Sequence, residues 1–159
     1  MRHSVELIEI VELSSQDTAK TKELIHKYFA WIDIDLSFQN IADELAHFPR
    51  LYEAPEGAFW LAKDGDEVIG CGGFRKISET ICEMKRLYVL ETYQGRGLVR
   101  ALIEILLQEA KAKGYQLMRL DTLSKMIEAQ QLYQRFGFYE IDAYTLNPLE
   151  GTLFMEKRL

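Results

Sequence analysis

Residues 83–114 read EMKRLYVLETYQGRGLVRALIEILLQEAKAKG, and their pattern is the most informative in the sequence for the architecture of the chain. Its first part, Glu83–Leu90, ends in Leu, Tyr, Val and Leu, which fit the pleated surface of a strand. Its second part has apolar residues three and four positions apart, which predicts the buried face of a helix. The members of this face are Leu98, Ala101, Leu102, Ile105 and Leu106. Gly114 is the predicted end of the helix, so a strand, a glycine-containing turn and a helix are expected in succession.

The turn between this strand and helix carries two glycines, Gly95 and Gly97. Because they lack a β-carbon, an anion can approach the free backbone N–H groups at the helix N-terminus. The pattern therefore indicates a phosphate-binding turn, with a tight turn that binds nothing as the alternative. The turn lacks the Gly-Lys-Ser/Thr ending of a P-loop and the third glycine of a dinucleotide-binding fingerprint. Nucleotide hydrolysis and dinucleotide binding are accordingly not expected.

Two segments resemble the signature motifs of one known family. The segment Gln94–Val99, QGRGLV, resembles the Q/R-x-x-G-x-G/A motif with which the GNAT superfamily of acyl-CoA-dependent N-acetyltransferases cradles the coenzyme A pyrophosphate. The segment Ala129–Phe138, AQQLYQRFGF, resembles the later A-x-x-L-Y-x-x-x-G-F signature of the same family. Val99 stands where the family has Gly or Ala, and Met126 stands where many members have Asn. The resemblance runs from about Gly57 to the C-terminus, roughly two thirds of the chain.

Hydrophobic spacing and turn residues predict the elements outside these motifs. The predicted strands are Val5–Val11, Phe59–Ala62, Glu67–Phe74, Thr80–Leu90, Leu117–Asp121, Phe138–Ile141 and Thr152–Lys157. Predicted helices follow Ser14 or Ser15, run from Ser37 to Leu45, and run from about Ser124 to Phe136. Asp64-Gly65 between two apolar runs indicates a tight β-hairpin.

This order of elements predicts an α+β fold. Three meandering strands precede a single crossover, which favours a mixed, mostly antiparallel sheet with helices on both faces. The resemblance implies the same architecture as a single GNAT-like domain over residues 1–159. In that family the strand before the glycine turn and the strand after its helix splay apart, and the pantetheine arm lies between them.

The resemblance also implies acetyl-CoA as cosubstrate. The residues implied to bind it are Leu87, Val89, Gln94, Gly95, Arg96, Gly97, Leu98 and Val99. A main-chain N–H near Val89 is implied to hold the oxyanion of the reaction, and Arg96 or Arg100 would add positive charge at the pyrophosphate.

Two side chains are the candidate catalytic residues. Glu83 stands eleven residues before Gln94, a spacing at which some family members place the general base; a solvated carboxylate, or one paired with Lys85 or Arg86, is the alternative. Tyr133 occupies the position of the family's general acid, which would protonate the leaving thiolate. From its neighbours alone it would be a core aromatic on a helix, and the resemblance favours the general acid instead.

The composition limits the kinds of partner that the chain is expected to bind. Its 159 residues carry 19 Lys and Arg against 25 Asp and Glu, and the net charge of -6 argues against binding to nucleic acid or to an anionic membrane. Cys71 and Cys82 are expected to be buried and reduced. His3, His26 and His47 have no metal-ligand spacing, so no metal is expected. Without a signal segment or an apolar membrane span, the sequence predicts a cytoplasmic protein.

The resulting functional hypothesis is an N-acetyltransferase that uses acetyl-CoA. Its acceptor would be the primary amine of a small molecule or amino acid, or a protein amino group. Self-association into a homodimer is compatible with the resemblance. The alternative is a catalytically silent acyl-CoA-binding module that acts as a sensor or regulatory subunit.

Overall fold

The structure is a computed structural model that describes residues 8–32, 41–145 and 151–159. In chain order its strands are β1 (Ile8–Glu12), β2 (Ala58–Asp64), β3 (Glu67–Lys76), β4 (Ile81–Val89), β5 (Leu117–Leu123), β6 (Tyr139–Ile141) and β7 (Thr152–Arg158). The α-helices of the described ranges are α1 (Thr18–Ile32), α2 (Ile41–Ala46), α3 (Leu98–Ala112) and α4 (Ile127–Arg135). The parts of the predictions that fall on Val5–Leu7, Ser37–Asn40 and His3 lie outside the described residues.

The strands form one seven-stranded sheet in the order β1-β2-β3-β4-β5-β7-β6. Only β4 and β5 are parallel neighbours, and the other adjacent pairs are antiparallel. Gly65, with φ of 60°, makes the predicted hairpin between β2 and β3. The predicted mixed, mostly antiparallel sheet is confirmed.

Helices cover both faces of the sheet. Phe59 and Leu61 of β2 belong to a hydrophobic cluster with α1 and α2, whereas Ala58 and Trp60 pack into a cluster with α3. Alternate residues of a strand point to opposite faces, so the two clusters lie on the two sides of the sheet. We call these the α1 face and the α3 face.

The strands β4 and β5 pair only at their beginnings. Ile81, Cys82 and Glu83 are in register with Leu117, Met118 and Arg119, and the pairing ends there. From Met84 onward β4 continues towards the glycine turn beside β3 alone. A gap therefore opens between the C-terminal parts of two parallel strands, as expected for the splayed pair.

Two details of the helices differ from the sequence-based expectation. In α3 the fully buried residues include Ile103 and Ala110 beside Leu102 and Leu106, because the helix lies with the centre of its apolar stripe on the sheet. Leu98, Ala101 and Ile105 flank that contact and are half-buried. Helix α4 begins at Ile127 after the N-cap residue Met126, three residues later than predicted, since the chain from Ser124 first makes a turn.

Both cysteines are free and buried, as expected, and burial raises the pKa of Cys71 and of Cys82 to about 12. Within the described ranges, no group of three or more His, Cys, Asp and Glu side chains is placed to hold a metal ion. Among the helices of those same ranges, none combines the length and the apolar character needed to cross a membrane.

Candidate active site

A cleft of about 1190 Å³ occupies the gap between β4 and β5. Its walls come from the C-terminal half of α1, from β4 after Glu83, from the glycine turn and the start of α3, from the end of β5, and from α4. Among the residues that the sequence assigns to the site, the cleft is lined by Leu87, Val89, Gln94, Gly95, Gly97, Leu98, Val99 and Tyr133. Most of the predicted site is thus brought together around one cavity.

The glycine turn has the geometry that an anion-binding turn requires. Gly95 and Gly97 have φ of 83° and 79°, in the left-handed region that side chains disfavour. Gly97 is the N-cap of α3, and no atom lies within 4 Å of where a β-carbon would stand on either glycine. The first N–H groups of α3 have no partner within the helix and carry the positive end of its dipole. This combination is suited to a phosphate group.

The side chains around the turn differ in their contacts. Gln94 donates from Nε2 to the Val89 carbonyl over 2.9 Å, which fixes the turn to the end of β4. Arg96 stacks its guanidinium over the Tyr93 ring, with 4.9 Å from Cζ to the centroid, and does not line the cleft. Arg100 does line it, and its Cζ lies 5.7 Å from the Phe136 ring centroid.

Val99, the departure from the family motif, points into the α3 face. Its side chain is half-buried and packs against the hydrophobic cluster that contains Ile103 and Leu106. The added methyl groups are thereby accommodated by the core. Because the side chain points away from the turn, it does not block the main-chain N–H of Val99.

A β-bulge in β4 shapes the wall of the cleft. The register with β3 jumps from Tyr88 to Lys85, so that Arg86 and Leu87 form the bulge, and Arg86 has φ of 60°. Leu87 packs over Gly72, where a β-carbon would meet its Cδ1 at 3.0 Å. A bulge next to a site re-aims the chain, and here it lies where β4 has lost β5 as a neighbour.

Glu83 lies immediately before the gap and does not line the cleft. Its side chain is 1% exposed. It is 2.9 Å from Arg75 Nε and 3.7 Å from Lys85 Nζ, and its Oε2 accepts a hydrogen bond of 2.7 Å from the Tyr144 hydroxyl. The pairing with Lys85 matches one alternative raised by the sequence, whereas Arg86 pairs with Glu44 instead. The carboxylate is therefore held in place by three partners at the closed end of the gap.

Tyr133 is positioned on the α4 wall. It is buried, and its ring meets Phe138 edge-on with centroids 5.8 Å apart. Burial raises the pKa of its hydroxyl, and the nearby Tyr28 and Asp121 add to the rise. The phenol therefore keeps its proton throughout the physiological pH range, which is the form that a proton donor needs. The sequence left two interpretations of Tyr133, a core aromatic and a general acid. In the structure its ring packs in the core and the residue also lines the cleft.

Sequence reasoning missed several residues of the cleft. Tyr28 and Trp31 line it from α1, and Asp121 lines it from β5. For Tyr28, nothing in the local sequence distinguishes a ring facing a cleft from one facing the core. Asp121 does carry a signal, because a charged residue in a strand that also contributes Met118 and Leu120 to the core is uncommon unless it is paired or functional.

Comparisons with known proteins identify the family of the chain. The model of the acetyltransferase (GNAT) family matches residues 21–138. An uncharacterized N-acetyltransferase of Schizosaccharomyces pombe is 36% identical over 142 residues, which cover 88% of this chain and 87% of the relative. An acetyltransferase structure from Streptococcus agalactiae has a TM-score of 0.80 at 24% identity and covers 96% of this chain and 98% of the other.

A further similar structure is that of a GNAT family acetyltransferase from Elizabethkingia anophelis with acetyl-CoA bound. It has a TM-score of 0.69 at 22% identity and covers 98% of this chain and all of the other, 100%. The chain described here belongs to the acetyltransferase (GNAT) family, and its class is that of acyl-CoA-dependent N-acetyltransferases.

Proposed function

We propose that the protein transfers an acetyl group from acetyl-CoA to a primary amine by direct attack within a ternary complex. The observation that carries the proposal is the cleft itself, which connects the open glycine turn at the start of α3 with the buried Tyr133. One end of the cleft suits an anionic pyrophosphate and the other holds a proton donor. The acetyl-CoA bound by the similar structure from Elizabethkingia anophelis supports the same cosubstrate here.

The residues of the turn fit the coenzyme. Main-chain N–H groups from Gly95 to Val99 would bind the pyrophosphate, and Arg100 at the edge of the cleft would add positive charge. Leu87 and Val89 line the gap along which the pantetheine arm would extend. Bound acetyl-CoA supplies an acyl thioester, whose C–S bond breaks as the new C–N bond to the acceptor forms.

Two protons must move for this exchange to balance. The acceptor nitrogen gives one up, and the departing sulfur takes one. A lysine-like ammonium with a pKa of about 10.4 is mostly charged at neutral pH, which handicaps attack by roughly 4–5 kcal/mol. We assign removal of the amine proton to Glu83, through a bridging water because this carboxylate lies just below the cleft, and protonation of the sulfur to Tyr133.

The test is acetyl-CoA consumption across a panel of amines, with mass spectrometry of the products. The proposal expects N-acetylated product and free coenzyme A in equal amounts for at least one class of amine. Calorimetry with coenzyme A supplies the second readout. Coenzyme binding without turnover of any amine would instead identify the chain as a silent acyl-CoA-binding module.

A further inference from the structure

Aromatic side chains form one wall of the cleft on the α1 face. The Tyr28 ring centroid lies 4.9 Å from that of Tyr88, and the Trp31 centroid lies 5.9 Å from that of Tyr88 and 6.4 Å from that of Tyr28. Trp31 is 44% exposed, and Ile127, 58% exposed, lines the cleft from α4. We call Tyr28, Trp31 and Tyr88 the aromatic wall. Exposed apolar side chains grouped around a cleft mark a binding surface.

The aromatic wall is separate from the surface assigned to the coenzyme. Tyr28 and Tyr88 belong to the hydrophobic cluster of the α1 face, whereas Leu87, Val99 and Tyr133 belong to that of the α3 face. Tyr88 and Leu87 are neighbours on β4, and their side chains pack on opposite sides of the sheet. The cleft therefore has a coenzyme side and, across the gap, an aromatic side.

Asp121 lies between these two sides. Arg119 is the last residue of β5 in register with β4, so Asp121, two residues further on, stands where the gap begins to open. Its neighbour Leu120 packs into the α3 face, and alternation along a strand directs Asp121 towards the α1 face. Its charge raises the pKa of Tyr28 on α1 and of Tyr133 on α4, after the larger effect of burial in both cases.

Four cations around this face lie against carboxylates of the protein. Arg75 and Lys85 face Glu83, Arg86 makes two hydrogen bonds of 2.8 Å to Glu44, and Arg119 lies 2.8 Å from Glu156. These cations have carboxylate partners within the protein. Of the described carboxylates, Asp121 on β5 and Glu128 on α4 line the cleft, and Asp121 is the one whose charge acts on Tyr28 of the aromatic wall.

We propose that the acceptor is a primary ammonium attached to a flat apolar body, with Asp121 binding the ammonium and the aromatic wall contacting the apolar body. The assignment rests on the proposed acetyl transfer and deepens it by naming the class of acceptor. A carboxylate attracts the charged amine, and the faces of Tyr and Trp rings bind both apolar groups and cations. Asp121 thereby places the nitrogen at the narrow end of the gap, next to Tyr133.

Amine binding to the protein saturated with coenzyme A tests this assignment without requiring turnover. The probes are 2-phenylethylamine, propylamine, which lacks the ring, and phenylalanine, which adds a carboxylate. Calorimetry should give about tenfold or greater preference for 2-phenylethylamine over each of the others. Propylamine lacks the ring that contacts the aromatic wall, and phenylalanine adds a carboxylate that Asp121 would repel. Equal binding of all three, or a preference for phenylalanine, would overturn the assignment.

Two variants separate the contact of Asp121 with the ammonium from the contact of the aromatic wall with the apolar body. Asp121→Asn should weaken 2-phenylethylamine and propylamine binding alike by about tenfold to a hundredfold, the loss expected for a charged hydrogen bond. Trp31→Ala should weaken only 2-phenylethylamine. The control Glu140→Gln removes a carboxylate from an exposed position of β6 and should change neither.

Kinetics distinguish the failure of this assignment from failure of the proposed function. In Asp121→Asn the KM of the amine should rise while the KM of acetyl-CoA and the affinity for coenzyme A stay as in the wild type. Asp121→Glu should restore part of the amine affinity, which a merely structural role does not predict. Wild-type turnover with an unchanged amine KM in Asp121→Asn would overturn the role of Asp121 alone, whereas absence of turnover in the wild type would overturn the acetyl transfer.

Discussion

The two halves of the β4–β5 pair differ in how they satisfy their polar groups. In the paired half, Glu83 stands beside Arg75 of β3 and Arg119 of β5 in the register of the sheet, and it is fully buried among its partners. In the splayed half, the chain around Leu87 forms a bulge and borders a cleft of about 1190 Å³. The same two strands are thus paired at one end and separated by a cleft at the other.

The difference shows why the site lies where it does. Buried charges are tolerated when they are paired and hydrogen-bonded, and the paired half meets this requirement within the protein. In the splayed half the backbone hydrogen bonds between β4 and β5 are absent. A ligand bound in the gap can provide hydrogen bonds to these backbone groups instead. If the open end binds the coenzyme and Glu83 at the closed end supplies both stability and the base, substitutions at the two ends should differ in their effects on coenzyme affinity, stability and kcat.

The largest effect is expected from Gly97→Glu at the open end. A carboxylate beside the bound pyrophosphate would add repulsion of several kcal/mol, so the Kd for coenzyme A should rise about a thousandfold. Gly114→Glu is the matched control, because Gly114 also has a positive φ and open space around it, at the other end of α3. Calorimetry measures both variants. Equal coenzyme affinity in the two variants would show that the glycine turn does not bind the coenzyme.

The next effect is expected from Tyr133→Phe, which keeps the ring and deletes the hydroxyl. If this phenol protonates the sulfur, kcat should fall about ten- to a thousandfold while coenzyme affinity and Tm stay nearly unchanged. The control Tyr115→Phe deletes a hydroxyl that donates to the Glu56 carbonyl at 2.6 Å, outside the cleft. It should cost about 1 kcal/mol of stability without changing kcat. A stability loss with wild-type kcat in Tyr133→Phe would instead identify a structural tyrosine.

Glu83→Gln separates the two roles of the closed end. Losing the buried charge should lower the free energy of unfolding by about 1–3 kcal/mol. A role as base adds a second effect: kcat should fall by about tenfold or more at neutral pH and recover partly in alkali, where the amine loses its proton unaided.

Glu156→Gln is the matched control for Glu83→Gln. Glu156 accepts hydrogen bonds from Arg119 at 2.8 Å and Tyr139 at 2.7 Å, and it does not line the cleft. It should lose stability in a similar way and keep the wild-type pH profile of kcat. Identical pH profiles in the two variants would show that Glu83 supports the sheet only.

The smallest effect concerns the pH dependence of stability at Glu156. Burial raises the pKa of this carboxyl, but hydrogen bonds from Arg119 and Tyr139 and the charge of Arg119 outweigh it, so the pKa is lowered. Its contribution to stability is therefore fully present above the unfolded pKa of about 4.3 and lost as the pH falls through the lower folded value. In urea titrations, the stability difference between wild type and Glu156→Gln should shrink as the pH falls through that range. A stability difference that does not change with pH would show that folding does not lower the pKa of Glu156.

Much of the fold follows from local sequence patterns. The Asp64-Gly65 hairpin, the glycine turn and the end of α3 before Gly114 occur as predicted, because each depends on a few adjacent residues with special backbone conformations. The spacing of Leu102 and Leu106 identified the helix, but not that Ile103 would be buried, since that depends on how the helix rotates against the sheet.

The candidate site was less accessible to sequence reasoning. The residues proposed for its coenzyme side belong to a contiguous motif, so Gly95 and Gly97 could be predicted directly. The proposed acceptor side combines Tyr28, Tyr88 and Asp121 from three separate elements, and only tertiary packing brings them together. Likewise, the pairing of Glu83 with Arg75 depends on the register between β3 and β4, which no local pattern specifies.

The most direct test of the central claim is a crystal structure of the protein with acetyl-CoA. The claim that the splayed gap is the catalytic cleft predicts the pyrophosphate on the main-chain N–H groups of residues 95–99. It also predicts the thioester sulfur within hydrogen-bonding distance of the Tyr133 hydroxyl, and the acetyl group facing Asp121 and the aromatic wall. Acetyl-CoA bound outside the gap, or with its sulfur remote from Tyr133, would contradict the claim.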